Sequence, residues 1–265
     1  MFIPLISAVI VIKKVRHEPL RKYGLSPLAK RYYAYAILIP VIVLFIGLLF
    51  TEILGFGRII RSIEELRRVM LQLLSLSVVQ AGFKPPNIEE IPEESRVALA
   101  NVLLMLQLII LPIAPFVNAI FAFGEEYGWR GFLLQRLTEK YGLLNAIFLT
   151  GIIWGLWHTP LILLIGYNYP HHRDLVGVVF FTILTVFMSI YLSWLRIKSG
   201  SVYASAIGHG AINAYLPLGL LLAPVRDELY GVPVGLPALL AFTIITIPML
   251  LSLKNNRNLI MLSKA

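Results

Sequence analysis

Long apolar runs are the feature that most constrains how this chain folds. Each of six runs is about as long as the roughly 20 residues that a helix needs to cross the hydrocarbon core of a bilayer. They cover residues 34–56, 97–123, 143–165, 175–195, 202–223 and 233–253. A seventh run, residues 1–12, is too short to span by itself. With 58% hydrophobic and 14% charged residues, the sequence predicts an all-α, polytopic membrane protein of about seven to eight transmembrane helices.

Two stretches between the apolar runs have a different character. Residues 58–80 mix charged and apolar side chains at helical spacing, which predicts an amphipathic helix at the membrane interface. A partner-binding helix is the alternative. Residues 83–95 are acidic and rich in proline, which predicts an exposed loop. No internal repeat divides the chain, so we expect one integral-membrane domain over residues 1–265.

The positive charge of the chain, formally +9, is unevenly distributed along it. Alternating crossings place most of the 23 Lys and Arg residues on the side of loop 13–31, the turn near 138–142 and the C-terminus. Because cytoplasmic loops accumulate Lys and Arg, we assign this side to the cytoplasm. The charge then reflects topology, and nucleic acid is not an expected partner. A sequence without cysteine excludes disulfides, thiol catalysis and Cys-ligated metals.

Ionisable residues within the apolar runs are the candidates for function. Glu125, His158 and His209 belong to three segments and lie roughly 15 to 24 Å from the same membrane face at the rise of an α-helix. A charge at the bilayer centre costs at least ~2.5 to 3.5 kcal/mol, so this convergence predicts a functional site, with structural hydrogen bonding as the alternative. His171 and His172 are instead predicted in an exposed loop, where solvation explains them.

The segment "FAFGEEYGWRGF", residues 121–132, contains two acids and one base. Glu126 and Arg130 are four residues apart and share a helix face, so Arg130 is expected to neutralise Glu126. We favour a structural role for this pair, because buried ions are commonly paired. Glu125 points about 100° away and has no cation on its own helix, which makes it the freer carboxylate.

The two histidine segments each add a polar group beside aromatic or small residues. In "WGLWH", Trp154 lies one turn before His158, and aromatic neighbours favour a neutral ring that can accept a proton. In "HGAIN", His209 and Asn213 share a helix face, and the glycines beside His209 let another backbone or a substrate approach. A hydrogen-bonded packing role is the alternative for each histidine.

Together these side chains predict hydrolysis of an amide bond. Glu125 and His158 can share a water molecule and take its proton, which makes the water a better nucleophile. His209 and Asn213 can donate to the oxyanion that forms at the attacked carbonyl.

The same motifs resemble those of a known family. The order "EEYGWR", "WGLWH" and "HGAIN" in a multi-helix membrane chain resembles the CAAX prenyl endopeptidase type II group of the CPBP family, also called the ABI family. The resemblance covers a motif core of about residues 97–223. One position departs from the family pattern: its second motif usually begins with Phe, and this chain has Trp154. The substitution preserves an aromatic wall for the substrate pocket.

The resemblance implies an intramembrane, glutamate-dependent endopeptidase without an obligatory metal. It implies that Glu125 and His158 activate water, that His209 and Asn213 stabilise the oxyanion, and that Glu126 and Arg130 support the site. It also implies prenylated CaaX-type substrates, or other membrane-associated peptides, reached from the cytoplasm and the lipid through an intramembrane cavity. We expect a monomer with membrane lipid and such a substrate as its partners.

Three alternatives to this interpretation stay open. A carboxylate and two histidines with a free position for water would also suit zinc, although the HExxH pattern of many zinc proteases is absent. A proton-coupled transporter also places Glu and His within the membrane, but no inverted repeat is visible. A non-catalytic scaffold or immunity protein is expected to lose at least one of Glu125, His158, His209 and Asn213, and none is lost.

Overall fold

The regular structure of the chain is helical throughout the part that can be described. A computed structural model of the protein describes residues 1–27, 30–80, 82–85 and 87–254. Every regular element within these ranges is a helix, which confirms the predicted all-α class. The predicted cytoplasmic position of the C-terminus, with Arg257 and Lys264, falls outside the described residues.

Twelve α-helices are present in the described residues, joined by short 3-10 and π-helical turns. They are α1 Ile3–Ile10, α2 Lys30–Ile53, α3 Ile63–Gln80, α4 Glu93–Ile110, α5 Ala114–Glu126, α6 Leu134–Tyr141, α7 Leu143–Trp157, α8 Thr159–Ile165, α9 Leu175–Ser199, α10 Val202–Tyr215, α11 Leu218–Leu222 and α12 Leu236–Lys254.

Five helical stretches of the described chain are long and apolar enough to cross a membrane, which makes this an integral, multi-pass protein. They are Arg31–Ile53, Leu143–Ile165, Leu175–Ser199, Val202–Leu222 and Leu236–Lys254. A sixth is obtained if Glu93–Ile110 and Ala114–Tyr141 count as one span, bent by 62°. The first apolar run forms only α1 and a short π-helical turn, Val11–Arg16. The predicted total of seven to eight spans stays a prediction.

The sequence alone predicts an interruption of the apolar run 97–123 at Pro112 and Pro115, and the bend between α4 and α5 lies there. Pro112 falls in the break between the two helices, and Pro115 occupies the first turn of α5. Proline lacks a backbone N–H and its ring clashes with the preceding turn, so breaks and first turns of helices are its favoured positions. Beyond α5 the chain continues as a π-helical segment, Tyr127–Leu133, into α6. π-helical turns are rare and often occur at functional sites.

Small residues bring the central helices into close contact. On α7, a Cβ atom at Gly155 would lie 2.6 Å from the Cα atom of Thr182 on α9. One turn earlier, Thr185 of α9 donates from Oγ1 to the carbonyl of Gly151 at 3.1 Å. On α10, a Cβ at Gly210 would lie 2.2 Å from the carbonyl oxygen of Pro115 on α5. Such approaches are typical of membrane helices, which associate through packing and interhelical hydrogen bonds.

The predicted amphipathic helix is shorter than expected. Helix α3 begins at Ile63, so residues 58–62 of the predicted range 58–80 are not helical. Arg58 in this preceding segment pairs with Glu65 at 2.8 Å, and Arg61 pairs with Glu52 at 2.8 Å. Arg58 and Arg61 thus carry charges that fit helical spacing but lie before α3 begins. The predicted loop 83–95 is also shorter, because α4 begins at Glu93.

Candidate active site

A cavity of about 280 Å³ contains the side chains that the sequence singled out. Its walls come from α5, α7, α9 and α10 and from the chain segments that follow α8 and precede α12. The lining residues are Met1, Glu125, Trp154, His158, Tyr167, Asn168, Phe181, Leu184, Met188, His209, Ile212, Asn213, Leu216, Pro217, Pro233 and Val234. The structure therefore brings Glu125, His158, His209 and Asn213 to one place.

Glu125 lies near the C-terminal end of α5 and is 5% exposed. Its Oε2 atom accepts a hydrogen bond from the indole Nε1–H of Trp154 at 2.9 Å. Within the described part of the chain its other carboxylate oxygen, Oε1, has no hydrogen bond or ion pair. Trp154 was expected only as a wall of the pocket. Its hydrogen bond to Glu125 was not predicted from the sequence. One carboxylate oxygen is bound and the other stays available as a base.

Glu126 and Arg130 form the predicted ion pair, with Arg130 Nη1 at 2.9 Å from Glu126 Oε1. Both side chains are completely buried. The guanidinium carbon of Arg130 also lies 4.4 Å from the centre of the Trp154 ring, a cation–π contact. The pair therefore packs directly against the residue that binds Glu125.

Glu126 has a second partner that was not predicted. Its Oε1 atom lies 2.9 Å from Nδ1 of His209 on α10. A carboxylate only accepts hydrogen bonds, and this one is already paired with Arg130, so Nδ1 of His209 carries the hydrogen and donates it. The ring keeps its Nε2 atom for the cavity.

His158 lies in the break between α7 and α8, where Pro160 stands in the first turn of the second helix. Its Nδ1 atom lies 2.9 Å from the carbonyl oxygen of Trp154. Because a carbonyl only accepts, Nδ1 is the donor, and the neutral ring presents an unprotonated Nε2. The predicted aromatic surroundings are present: the ring stacks on Tyr167 at 5.6 Å and meets the edge of Phe181 at 5.0 Å.

His209 and Asn213 are presented by α10, whose N-terminus is capped by the hydroxyl of Ser201. His209 is 4% exposed, and its ring meets Trp154 edge-on at 5.2 Å between centroids. Asn213, one turn later, is exposed and lines the cavity. The close contact of Gly210 with α5 brings this face of α10 to the acids, as the glycines in the motif suggested.

Sequence reasoning missed several residues of the site. Tyr167 and Asn168 come from the segment after α8, and Phe181 and Met188 come from α9. They are ordinary apolar or loop residues at positions without a motif. No sequence signal distinguishes them from other side chains of the same helices.

The zinc alternative requires at least three ligand side chains grouped around one point. No group of three His, Asp or Glu side chains in the described ranges is arranged to hold a metal ion. The zinc alternative therefore lacks a ligand set among these residues.

The fold and the site define an integral membrane protein whose helices enclose buried acids and histidines around a small cavity. Residues 99–215 match the family model described as "Type II CAAX prenyl endopeptidase Rce1-like". Over 102 residues the chain is 35% identical to CAAX prenyl protease 2 of Methanococcus maripaludis, a match that covers 37% of this chain and 37% of that relative. The segment that carries the three motifs is thus similar to the Rce1-like family, which confirms the resemblance seen in the sequence.

Proposed function

We propose that this chain is an intramembrane endopeptidase that cleaves a peptide bond near the C-terminus of prenylated CaaX-type proteins. A single observation carries the proposal: Glu125, His158, His209 and Asn213, from three separate segments, line the same cavity. The match of residues 99–215 to the Rce1-like family supports the same activity.

The first step uses the two acceptor atoms that the site leaves unbound. A water molecule donates to Oε1 of Glu125 and to Nε2 of His158, because their other polar atoms are bound to Trp154. Glu125 takes one proton as general base, and the hydroxide oxygen attacks the carbonyl carbon of the substrate. The C–O bond forms as the carbonyl electron pair moves to its oxygen.

The resulting oxyanion is stabilised from α10. Asn213 donates through its side-chain amide, and His209 donates through Nε2. Because Nδ1–H of His209 is already directed at Glu126, the ring donates at Nε2 only as an imidazolium. The carboxylate of Glu126 then compensates the charge of that ring. Collapse of the oxyanion breaks the C–N bond, and the proton held by Glu125 passes to the leaving amine.

The substrate is proposed from the chemistry of the cavity and from the relative. Hydrophobic residues dominate its wall, as suits a lipid-modified peptide. Entry from the cytoplasm follows from the distribution of Lys and Arg along the chain. Metal plays no part in these steps.

A cleavage assay tests the proposal. The full chain in liposomes is incubated with a farnesylated CaaX peptide and with the same peptide lacking the farnesyl group, and the products are identified by mass spectrometry. We expect release of the C-terminal tripeptide from the farnesylated peptide, with little cleavage of the other. Absence of cleavage together with proton flux across the liposome membrane would favour a transporter instead.

A further inference from the structure

Trp154 contacts four residues of the candidate site, in addition to forming part of the pocket wall. Its indole N–H donates to Glu125, and its backbone carbonyl accepts from His158. The ring face lies under the guanidinium of Arg130, and the ring edge meets His209. Trp154 is 2% exposed, so these contacts hold it in a packed environment.

The indole bond decides how the carboxylate of Glu125 is oriented. An unbound carboxylate can rotate about its terminal torsion, which has broad energy wells. A hydrogen bond from Nε1 at 2.9 Å fixes Oε2 toward Trp154 and leaves Oε1 as the atom that faces the water. A hydrogen bond to a charged group is stronger than one between neutral groups, so this restraint persists in the ionised acid.

The position of the indole is fixed in turn by a cation over its ring face. Arg130 lies 4.4 Å from the ring centre and is held by its ion pair with Glu126. The motif of the family usually has Phe at this position, and a phenyl ring would keep the face for Arg130 but has no N–H to donate. The hydrogen bond to Glu125 is therefore a property that this chain gains from Trp.

The geometry points to Trp154 as a positioning residue for the two groups that activate water. Its indole N–H sets the reactive orientation of Glu125, and its backbone carbonyl sets that of His158. This inference rests on the proposed peptidase activity. Its chemistry is orientation alone: no bond to Trp154 forms or breaks, and no proton leaves the indole.

The test compares two Trp→Phe variants that each lose one indole hydrogen bond. Trp154→Phe removes the bond to Glu125 and keeps an aromatic ring under Arg130. Trp194→Phe is the matched control, because its indole donates to Ser252 at 3.1 Å and the residue does not line the cavity. We expect kcat to fall about 10- to 100-fold in Trp154→Phe, with KM and melting temperature near those of the wild type. The control should keep the kcat of the wild type. Equal kcat in Trp154→Phe and the wild type would overturn the inference.

A spectroscopic measurement makes the test independent of activity. The chain with ¹⁵N-labelled tryptophan gives one indole signal for each of its 4 Trp residues. The variants Trp129→Phe, Trp157→Phe and Trp194→Phe assign three of these signals, and the remaining signal is that of Trp154. In Glu125→Leu this indole proton should move upfield, because its acceptor is gone, while the signal of Trp194 stays in place. An unmoved Trp154 signal would overturn the inference even if Trp154→Phe is too unstable to assay. A wild-type chain that cleaves no peptide would instead refute the proposed function.

Discussion

The imidazole Nδ1 of His209 lies 2.9 Å from Oε1 of Glu126, and this contact joins the third sequence motif to the first. The same carboxylate is the ion-pair partner of Arg130. Glu126 thus has two tasks: it pairs with a buried guanidinium and it accepts the hydrogen bond from Nδ1–H of His209. The structural role predicted for the Glu126–Arg130 pair extends directly to the histidine that faces the cavity.

Removal of Arg130 should destabilise the protein. Arg130→Ala leaves the buried carboxylate of Glu126 without its counter-charge, which typically lowers the free energy of unfolding by about 3 to 5 kcal/mol. Arg58→Ala is the control, because that arginine pairs with Glu65 at the surface with its side chain 63% exposed, and we expect a change of about 0 to 1 kcal/mol. Thermal unfolding in detergent measures both. A stable but inactive Arg130→Ala protein would assign this residue a direct part in the reaction.

Replacement of the proposed base should abolish peptide cleavage without affecting the fold. Glu125→Gln keeps the size of the side chain and an oxygen for the Trp154 bond but cannot take a proton from water. We expect kcat to fall by about 10² to 10⁴, the usual contribution of a general base. Glu65→Gln, at the surface, should leave cleavage of the farnesylated peptide unchanged. Wild-type activity in Glu125→Gln would exclude Glu125 as the base.

The loop histidines give the stability a dependence on pH. His171 and His172 were predicted to be merely solvated, but His171 pairs with Glu228 at 2.7 Å and His172 with Asp227 at 2.9 Å. The hydrogen bond to Asp227 raises the pKa of His172 above its ordinary value of 6.5. Burial acts to raise the pKa of Asp227, but hydrogen bonds from the Leu229 backbone and from His172 outweigh it and lower that pKa below 3.8.

These two directions define a window of pH. A histidine with a raised pKa in the folded state stabilises the protein fully below pH 6.5 and loses this contribution as the pH rises through its folded pKa. The lowered pKa of Asp227 stabilises the protein above pH 3.8 and is lost as the pH falls. We therefore expect the wild type to lose stability relative to His172→Gln between pH 6 and 8. The loss should be about 1 kcal/mol or less in the free energy of unfolding, measured through the melting temperature at each pH. The control His17→Asn should follow the wild type. Parallel curves for His172→Gln and the wild type would contradict the pairing.

Peptidase activity should survive removal of metal ions. The proposed steps use only protein groups and water, and a chelator removes neither of them. Dialysis against a strong chelator is therefore expected to leave kcat within about twofold of the value of the untreated protein. Elemental analysis of the dialysed sample measures residual zinc. Activity that is lost on dialysis and restored by added zinc would favour the zinc alternative.

Local sequence patterns determined the helices and the contacts within them. The apolar runs predicted the spans because a helix must present about 20 apolar residues to cross a bilayer. The prolines at 112 and 115 predicted the break before α5, because proline removes a backbone donor wherever it stands. The Glu126–Arg130 pair was also predictable from local sequence. Residues four apart on one helix are neighbours on its surface, whatever surrounds the helix.

Only the tertiary structure decided which side chains meet between segments. The bonds from Trp154 to Glu125, from His209 to Glu126 and from His172 to Asp227 join residues 29, 83 and 55 positions apart. Whether such atoms lie within hydrogen-bond distance depends on how helices and loops rotate and cross, which the close packing at glycines such as Gly210 sets. A periodic pattern specifies the face of one helix, but it carries no information on the rotation of its neighbour.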